Sequence, residues 1–200
     1  MIEIDVSNYQ IDNLAVYGLE QTAIASGFPM QTSYNAEHFR MMCYDMDEDS
    51  RHIKRMDKLA AAPIGSGHDN ALKGIDVHFN VTASLVWWLQ EGRYKFINII
   101  SSYSKMHKLS DMAERGTLKF IGVDPRMEKL FFEFVAEGMN NVQLSYNFPS
   151  GGCLTARLST NYCCLKNVYH QRENHKLPEW RKFCEWVKTL PHSKWITQEC

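Results

Sequence analysis

The plainest alternation in the chain is IDVHFNV, where Ile75, Val77, Phe79 and Val81 are separated by polar partners, the period of a strand with one buried face. MIEIDVSNYQ alternates in the same way and predicts a first strand at the N-terminus. Other stretches repeat at helical spacing. In ASLVWWLQEGRYKF, Leu85, Trp88 and Leu89 predict a helix that breaks at Gly92. In RMEKLFFEFVAEGM, residues 126–139, Met127, Leu130, Phe131, Phe134 and Val135 form one apolar stripe. YCCLKNVYHQR and LPEWRKFCEWVKTL predict two more helices, the second opened by Pro178 and turning Trp180, Phe183, Trp186 and Val187 inward. NFPSGGCLTARLSTN reads as a loop and a short strand, and AAAPIGSGHDNA, residues 60–71, as the richest turn segment. DMDEDSRHIKRMDK, residues 45–58, predicts a solvated surface helix with Asp47 or Ser50 as its N-cap. Strands and helices mix without a βαβ rhythm, so the class is α+β, a mixed sheet with helices. With no repeat or low-complexity tract, residues 1–200 are expected to form one domain.

Charge narrows the function. Lys and Arg total 22 against 23 Asp and Glu, which lacks the basic excess of a protein that binds nucleic acid nonspecifically. The longest apolar run, VTASLVWWL, is far short of a membrane span, and the acidic N-terminus does not read as a signal peptide. Six cysteines (Cys43, Cys153, Cys163, Cys164, Cys184 and Cys200) without an export signal are expected as reduced thiols of a cytoplasmic protein. Cys164, His170 and His175 are loosely spaced like metal ligands but have no evident fourth partner, so packed side chains are the simpler account. One local feature stands out in this neutral chain. In LQEGRYKFINIISSYSKMHKL, Arg93, Lys95, Lys105 and Lys108 interleave with Tyr94, Phe96, Tyr103 and Met106, a cationic and aromatic cluster that points to a small anion.

From Gly67 to Lys105 the chain resembles the flavin-dependent thymidylate synthases, the ThyX class. The family signature is R-H-R-x-x-S-x-N-x-x-S-x-R-Y, with a Gln just before it and a Gly-His pair further upstream. Here Gln90 stands three residues before Arg93 and Gly67-His68 ends 25 before it; Arg93-Tyr94-Lys95 takes the place of R-H-R, and Lys105 that of the last Arg. A second block keeps the family's intervals with Phe148-Pro149, Asn161, Leu165, Asn167 and Arg172. Asn98, Ile100, Tyr103 and Met106 depart from the signature, Ser104 sits one place off, and Ser145 and Cys163 stand where the family has arginines. Lysine holds a phosphate as a point charge and does not reproduce the arginine fork.

The resemblance implies a ThyX-like fold, a homotetramer with sites at subunit interfaces, FAD as cofactor, methylenetetrahydrofolate and NADPH as co-substrates, and a pyrimidine nucleotide such as dUMP as substrate. By the same resemblance His68 lies near flavin and folate; Arg93, Tyr94, Lys95, Asn161 and Asn167 bind the cofactor; Gln90, Ser104 and Lys105 contact the nucleotide; and Arg172 polarises the pyrimidine. The chemistry agrees with that division. A pyrophosphate needs cations, an isoalloxazine edge needs amides, and an arginine at the pyrimidine oxygen stabilises charge that develops there. Each residue also has a plainer account: His68 as a loop histidine, Gln90, Arg93 and Lys95 as a solvated helix end, Asn161 as an N-cap, Arg172 and His175 as surface decoration, Trp87 and Trp88 as core or subunit contact. Two alternatives to the enzyme stay open. One is a nucleotide-binding or interaction protein that has lost catalysis; the other is a zinc-stabilised module built on Cys164, His170 and His175.

Overall fold

The computed structural model describes residues 4–44 and 46–198. Along the chain run β1 (Gln10–Tyr17), α1 (Leu19–Ala25), α2 (Ala36–Tyr44), α3 (Arg51–Ala60), β2 (Asp76–Ser84), α4 (Leu85–Glu91) and β3 (Asn98–Ser102). They are followed by α5 (Lys105–Glu114), α6 (Pro125–Ala136), α7 (Asn141–Asn147), β4 (Cys153–Asn161), α8 (Tyr162–Arg172), α9 (Pro178–Val187) and α10 (Lys194–Thr197), with 3-10 turns at Phe28–Met30 and His68–Gly74. The strands form one antiparallel sheet in the order β1-β2-β4-β3, so the class is α+β. By packing, the chain divides into two compact units. The first runs through Leu14, from Phe79 to Leu158 and from Lys176 to Lys182; the second holds Ala15–His78, Ser159–His175 and the chain from Phe183 onward.

β2 keeps the alternation written in its sequence, with Ile75 before it and Val77, Phe79 and Val81 within it fully buried. Over residues 4–9 the N-terminal alternation is not strand. Asp5 accepts hydrogen bonds from the backbone N–H and hydroxyl of Ser7, and Tyr9 N–H donates to Val6 O, so residues 5–9 turn and pairing begins only at Gln10. Met1, Ile2 and Glu3 of that predicted strand lie outside the described residues, as does Asp45 of the predicted 45–58 helix. That helix is α3. Ser50 caps it by accepting from Ile53 N–H at 3.3 Å, and Ile53, Met56 and Ala60 bury a stripe at helical spacing, so it is half embedded where a solvated helix was expected.

In the first unit, Phe131 packs edge to face with Phe120 and Phe148, which tilt against each other, with centroids 5.5–6.2 Å apart, and Leu109 and Leu144 close the same core. Phe131, Phe134 and Val135 of the predicted stripe meet this core, whereas Met127 and Leu130 are exposed. Gly152 is required beside it, because a Cβ there would overlap the Phe148 ring. α4 rotates away from its predicted face: Trp87 and Glu91 are buried, and Leu89 is 77% exposed. The cause is Trp87, which packs against Trp180 at 4.8 Å and Tyr9 at 5.9 Å and sets the helix phase. Trp88 is half-buried, its indole donating to Ala83 O and Leu154 O. β4 is nine residues long where a short strand was expected.

The second unit packs α8 against the His68–Gly74 turn and against α10. α8 runs from Tyr162 to Arg172, as its sequence predicts, and buries Tyr162, Leu165, Val168 and Tyr169. Trp195 Nε1 donates to Asp57 Oδ1 at 2.6 Å, and Tyr162 donates its hydroxyl proton to Pro191 O.

Candidate functional site

The first unit presents the opening cationic stretch. Ser84 caps α4, its Oγ accepting from Trp87 N–H at 3.2 Å, and Glu179 holds the cap in turn, accepting from Ser84 N–H at 2.9 Å and Ser84 Oγ at 2.8 Å. Burial pushes the Glu179 carboxyl above its ordinary pKa, although these two bonds favour its ionised form. Past this anchored helix the predicted residues point in two directions. Gln90 accepts from Trp180 Nε1 at 3.0 Å and Tyr94 lies edge-on to the same indole at 5.7 Å, so both serve the aromatic cluster. Arg93 and Lys95 are exposed. Ser104 is the N-cap residue of α5 without a side-chain cap bond, and Lys105 opens the helix. Among the described residues Arg93, Lys95 and Lys105 make no ion pair or side-chain hydrogen bond. Lys108 differs, lying 2.7 Å from Asp111 and holding that carboxyl below its ordinary pKa by the hydrogen bond between them.

The same unit contains a groove that the sequence pattern does not announce. Cavities of about 280, 380 and 260 Å³ share Tyr103 as a wall. The polar side of the sheet floors the 380 and 260 Å³ cavities: Asn80 donates to Asp12 at 2.9 Å, Arg157 donates to Asn13 O and to Asn80 Oδ1, and the Thr82 and Thr155 hydroxyls lie 2.8 Å apart, whereas α5 side chains such as Lys108, Asp111 and Met112 line the 280 Å³ cavity. The sheet side chains come from three strands distant in sequence, so only pairing gathers them. The available signal was the polar half of the β2 alternation, Asn80 and Thr82.

In the second unit α8 carries Asn161, Asn167 and Arg172. Asn161 is the N-cap, accepting from Cys164 N–H at 2.9 Å, and Asn167 Oδ1 accepts from Gln171 at 2.9 Å. Each carbonyl thus accepts one bond, and each amide keeps its NH2 donors and one further acceptor lone pair. Arg172 ends the helix, half-buried. His68 is exposed at the start of its 3-10 turn, after Gly67 at φ +82°, a conformation that glycine adopts without strain. Ser145, at one of the arginine positions, donates its hydroxyl to Val142 O at 2.7 Å. Cys163, at the other, has a thiol whose pKa burial raises. Cys43, Cys153, Cys163, Cys164 and Cys184 are thiols; Cys200 lies outside the described residues. Among the described residues no three His, Cys, Asp or Glu side chains are arranged to hold a metal ion, those of Cys164, His170 and His175 included. No described helix is long and apolar enough to cross a membrane.

No protein-family model and no curated protein sequence matches the chain. Solved structures do. Thymidylate synthase X from Helicobacter pylori, crystallised with FAD and dUMP, is similar with a TM-score of 0.67 and 14% identity, over 91% of this chain and 95% of that one. A second structure of the flavin-dependent enzyme from the same organism, also with FAD and dUMP, gives 0.66 and 14% over 97% and 96%. The chain has a ThyX-like fold.

Proposed function

We propose that this chain is a divergent flavin-dependent thymidylate synthase-like enzyme that binds FAD and transfers a one-carbon unit from methylenetetrahydrofolate to a pyrimidine deoxynucleotide resembling dUMP. The observation that carries the proposal is the set of three cations, Arg93, Lys95 and Lys105, that have no partner among the described residues on a fold shared with FAD- and dUMP-bound neighbours. Unpaired exposed cations beside aromatic rings suit phosphate groups. In the first unit, Arg93 and Lys95, with Tyr94 behind them, would hold the flavin pyrophosphate, and Ser104 and Lys105 the nucleotide. Gln90 would act through the Trp180 indole that occupies its carbonyl. In the second unit, the NH2 groups of Asn161 and Asn167 fit the carbonyl oxygens of an isoalloxazine ring, His68 would flank the ring, and Arg172 would face the pyrimidine. When bound, reduced flavin would supply hydride, with NADPH as its reductant; the protein's part would be to orient the two ligands and stabilise negative charge on the pyrimidine.

Arg93→Ala tests the pyrophosphate assignment. Loss of a two-pronged charged contact should weaken FAD binding by roughly tenfold or more, beyond any single lysine change, while the fold is kept. Unchanged affinity in a folded Arg93→Ala protein, by flavin fluorescence titration, would remove this stretch from the cofactor site.

Assembly as a homotetramer in the cytoplasm, with sites at subunit interfaces, belongs to the same proposal. β3 is an edge strand exposed at all five residues, and it carries no charge or proline to guard it. Ile99 and Ile100 on it, with Phe96 at 71% exposure, leave apolar surface that subunit contact would bury. Light scattering at micromolar concentration should report an oligomer, and a monodisperse monomer would count against shared sites.

A second reading rests on Ser145 and Cys163. With neither arginine present, a fold that retains a nucleotide pocket but not catalysis is the alternative, and nucleotide binding without flavin would favour it.

A further inference from the structure

We propose that Lys166 is the positioning residue that clamps both ends of the loop presenting His68. Its side chain is fully buried, an unusual place for an ammonium unless every proton is used. Lys166 Nζ donates to Ala60 O at 2.8 Å and to Ala62 O at 2.6 Å, and lies 3.5 Å from Asp69 Oδ2. Asp69 is itself 3% exposed. Ala60 is the last residue of α3, so the ammonium meets a helix C-terminal carbonyl that would otherwise lack an intrahelical partner.

The three contacts divide around the loop. Ala60 and Ala62 lie at its entrance, and Asp69, the neighbour of His68, lies at its exit. Residues 63–68 between them are exposed and include Gly65 and Gly67, both at positive φ. Inside the loop the bonds are local: Ser66 N–H to Pro63 O, His68 N–H to Ser66 Oγ and Asn70 N–H to Gly67 O. A glycine-bearing surface loop of this kind samples many conformers unless its ends are fixed. One side chain, carried by α8 between Leu165 and Asn167, fixes both. The clamp therefore ties the position of His68 to the helix that bears Asn161, Asn167 and Arg172.

The functional half of the inference rests on the proposed flavin role of His68, and the experiment separates the two. In Lys166→Met, and in Asp69→Asn should the first fail to fold, hydrogen–deuterium exchange of residues 62–69 should accelerate by about tenfold or more while peptides of α5 stay unchanged. FAD affinity, by fluorescence titration, should fall by roughly tenfold, the scale seen when groups that hold a ligand-binding side chain are removed. Adding His68→Ala to Lys166→Met should then cost no more than the larger single change, since one acts through the other. Unchanged exchange across 62–69 in a folded variant overturns the clamp. Additive effects on FAD affinity overturn its action through His68. If the parent protein binds no FAD, the flavin role of His68 falls with the proposed function, and the exchange result alone decides the clamp.

Discussion

Glu91→Met should be more stable than the parent chain at pH 8, by as much as about 3 kcal/mol, and the difference should vanish near pH 4. Glu91 is 1% exposed, its Oε1 has no hydrogen-bond partner among the described residues, and burial raises its pKa to about 7. In the unfolded chain the same carboxyl ionises near the ordinary glutamate value of about 4.3. Between these values the folded state holds a proton that the unfolded state has released, so the folded state binds more protons and stability declines as pH rises. The contribution is fully present below pH ~4.5, is lost up to about pH 7, and is flat above that. Methionine has similar length and no charge to desolvate, so the variant's stability should lack this component. Urea unfolding of both proteins between pH 4 and pH 8 measures it. Parallel profiles would mean that Glu91 is solvated or paired when charged.

The proposed enzyme predicts its largest kinetic loss at Arg172. Charge on the pyrimidine appears only as the transition state is approached, so Arg172→Ala should lower turnover by about a hundredfold or more and nucleotide affinity much less. Lys105 would bind the nucleotide phosphate equally in ground and transition states, so Lys105→Ala should act on KM and be rescued in part by high nucleotide concentration. The missing arginines at Ser145 and Cys163 predict weak binding of dUMP and allow preference for another pyrimidine nucleotide. Calorimetric titration with dUMP, dCMP and dTMP, followed by flavin oxidation assays with methylenetetrahydrofolate, examines both statements. Binding of none of the three, together with no flavin, would leave the enzyme proposal without support.

Much of the scaffold follows from short-range pattern. β2 alternates as written, α8 spans its predicted residues, and Asn161 caps that helix, because each depends on residues within a turn or two of one another. The misses come from a competing local turn and from distant partners. β1 starts late because a local Asp5–Ser7 turn competes with pairing, and α4 rolls onto Trp87 because Trp180, 93 residues on, supplies the indole it packs against. β3 is legible only as a strand paired at the sheet edge, since Asn98–Ser102 buries neither face.

The candidate site divides along the same line. By itself the sequence determined which cations, amides and histidine stand at the spacing of the ThyX signature, because spacing is a covalent property of the chain. Tertiary structure alone decided what those residues are able to do. Gln90 and Tyr94 turn to Trp180 while Arg93 and Lys95 stay outside, and the Tyr103 groove is assembled from three strands. Lys166, one lysine among many in the sequence, becomes a buried clamp because α3, the His68 loop and α8 converge on its ammonium. The physical reason is common to all of these: a side chain's chemistry depends on burial and on which donors and acceptors remain unused, and both are set by contacts between segments far apart in the chain.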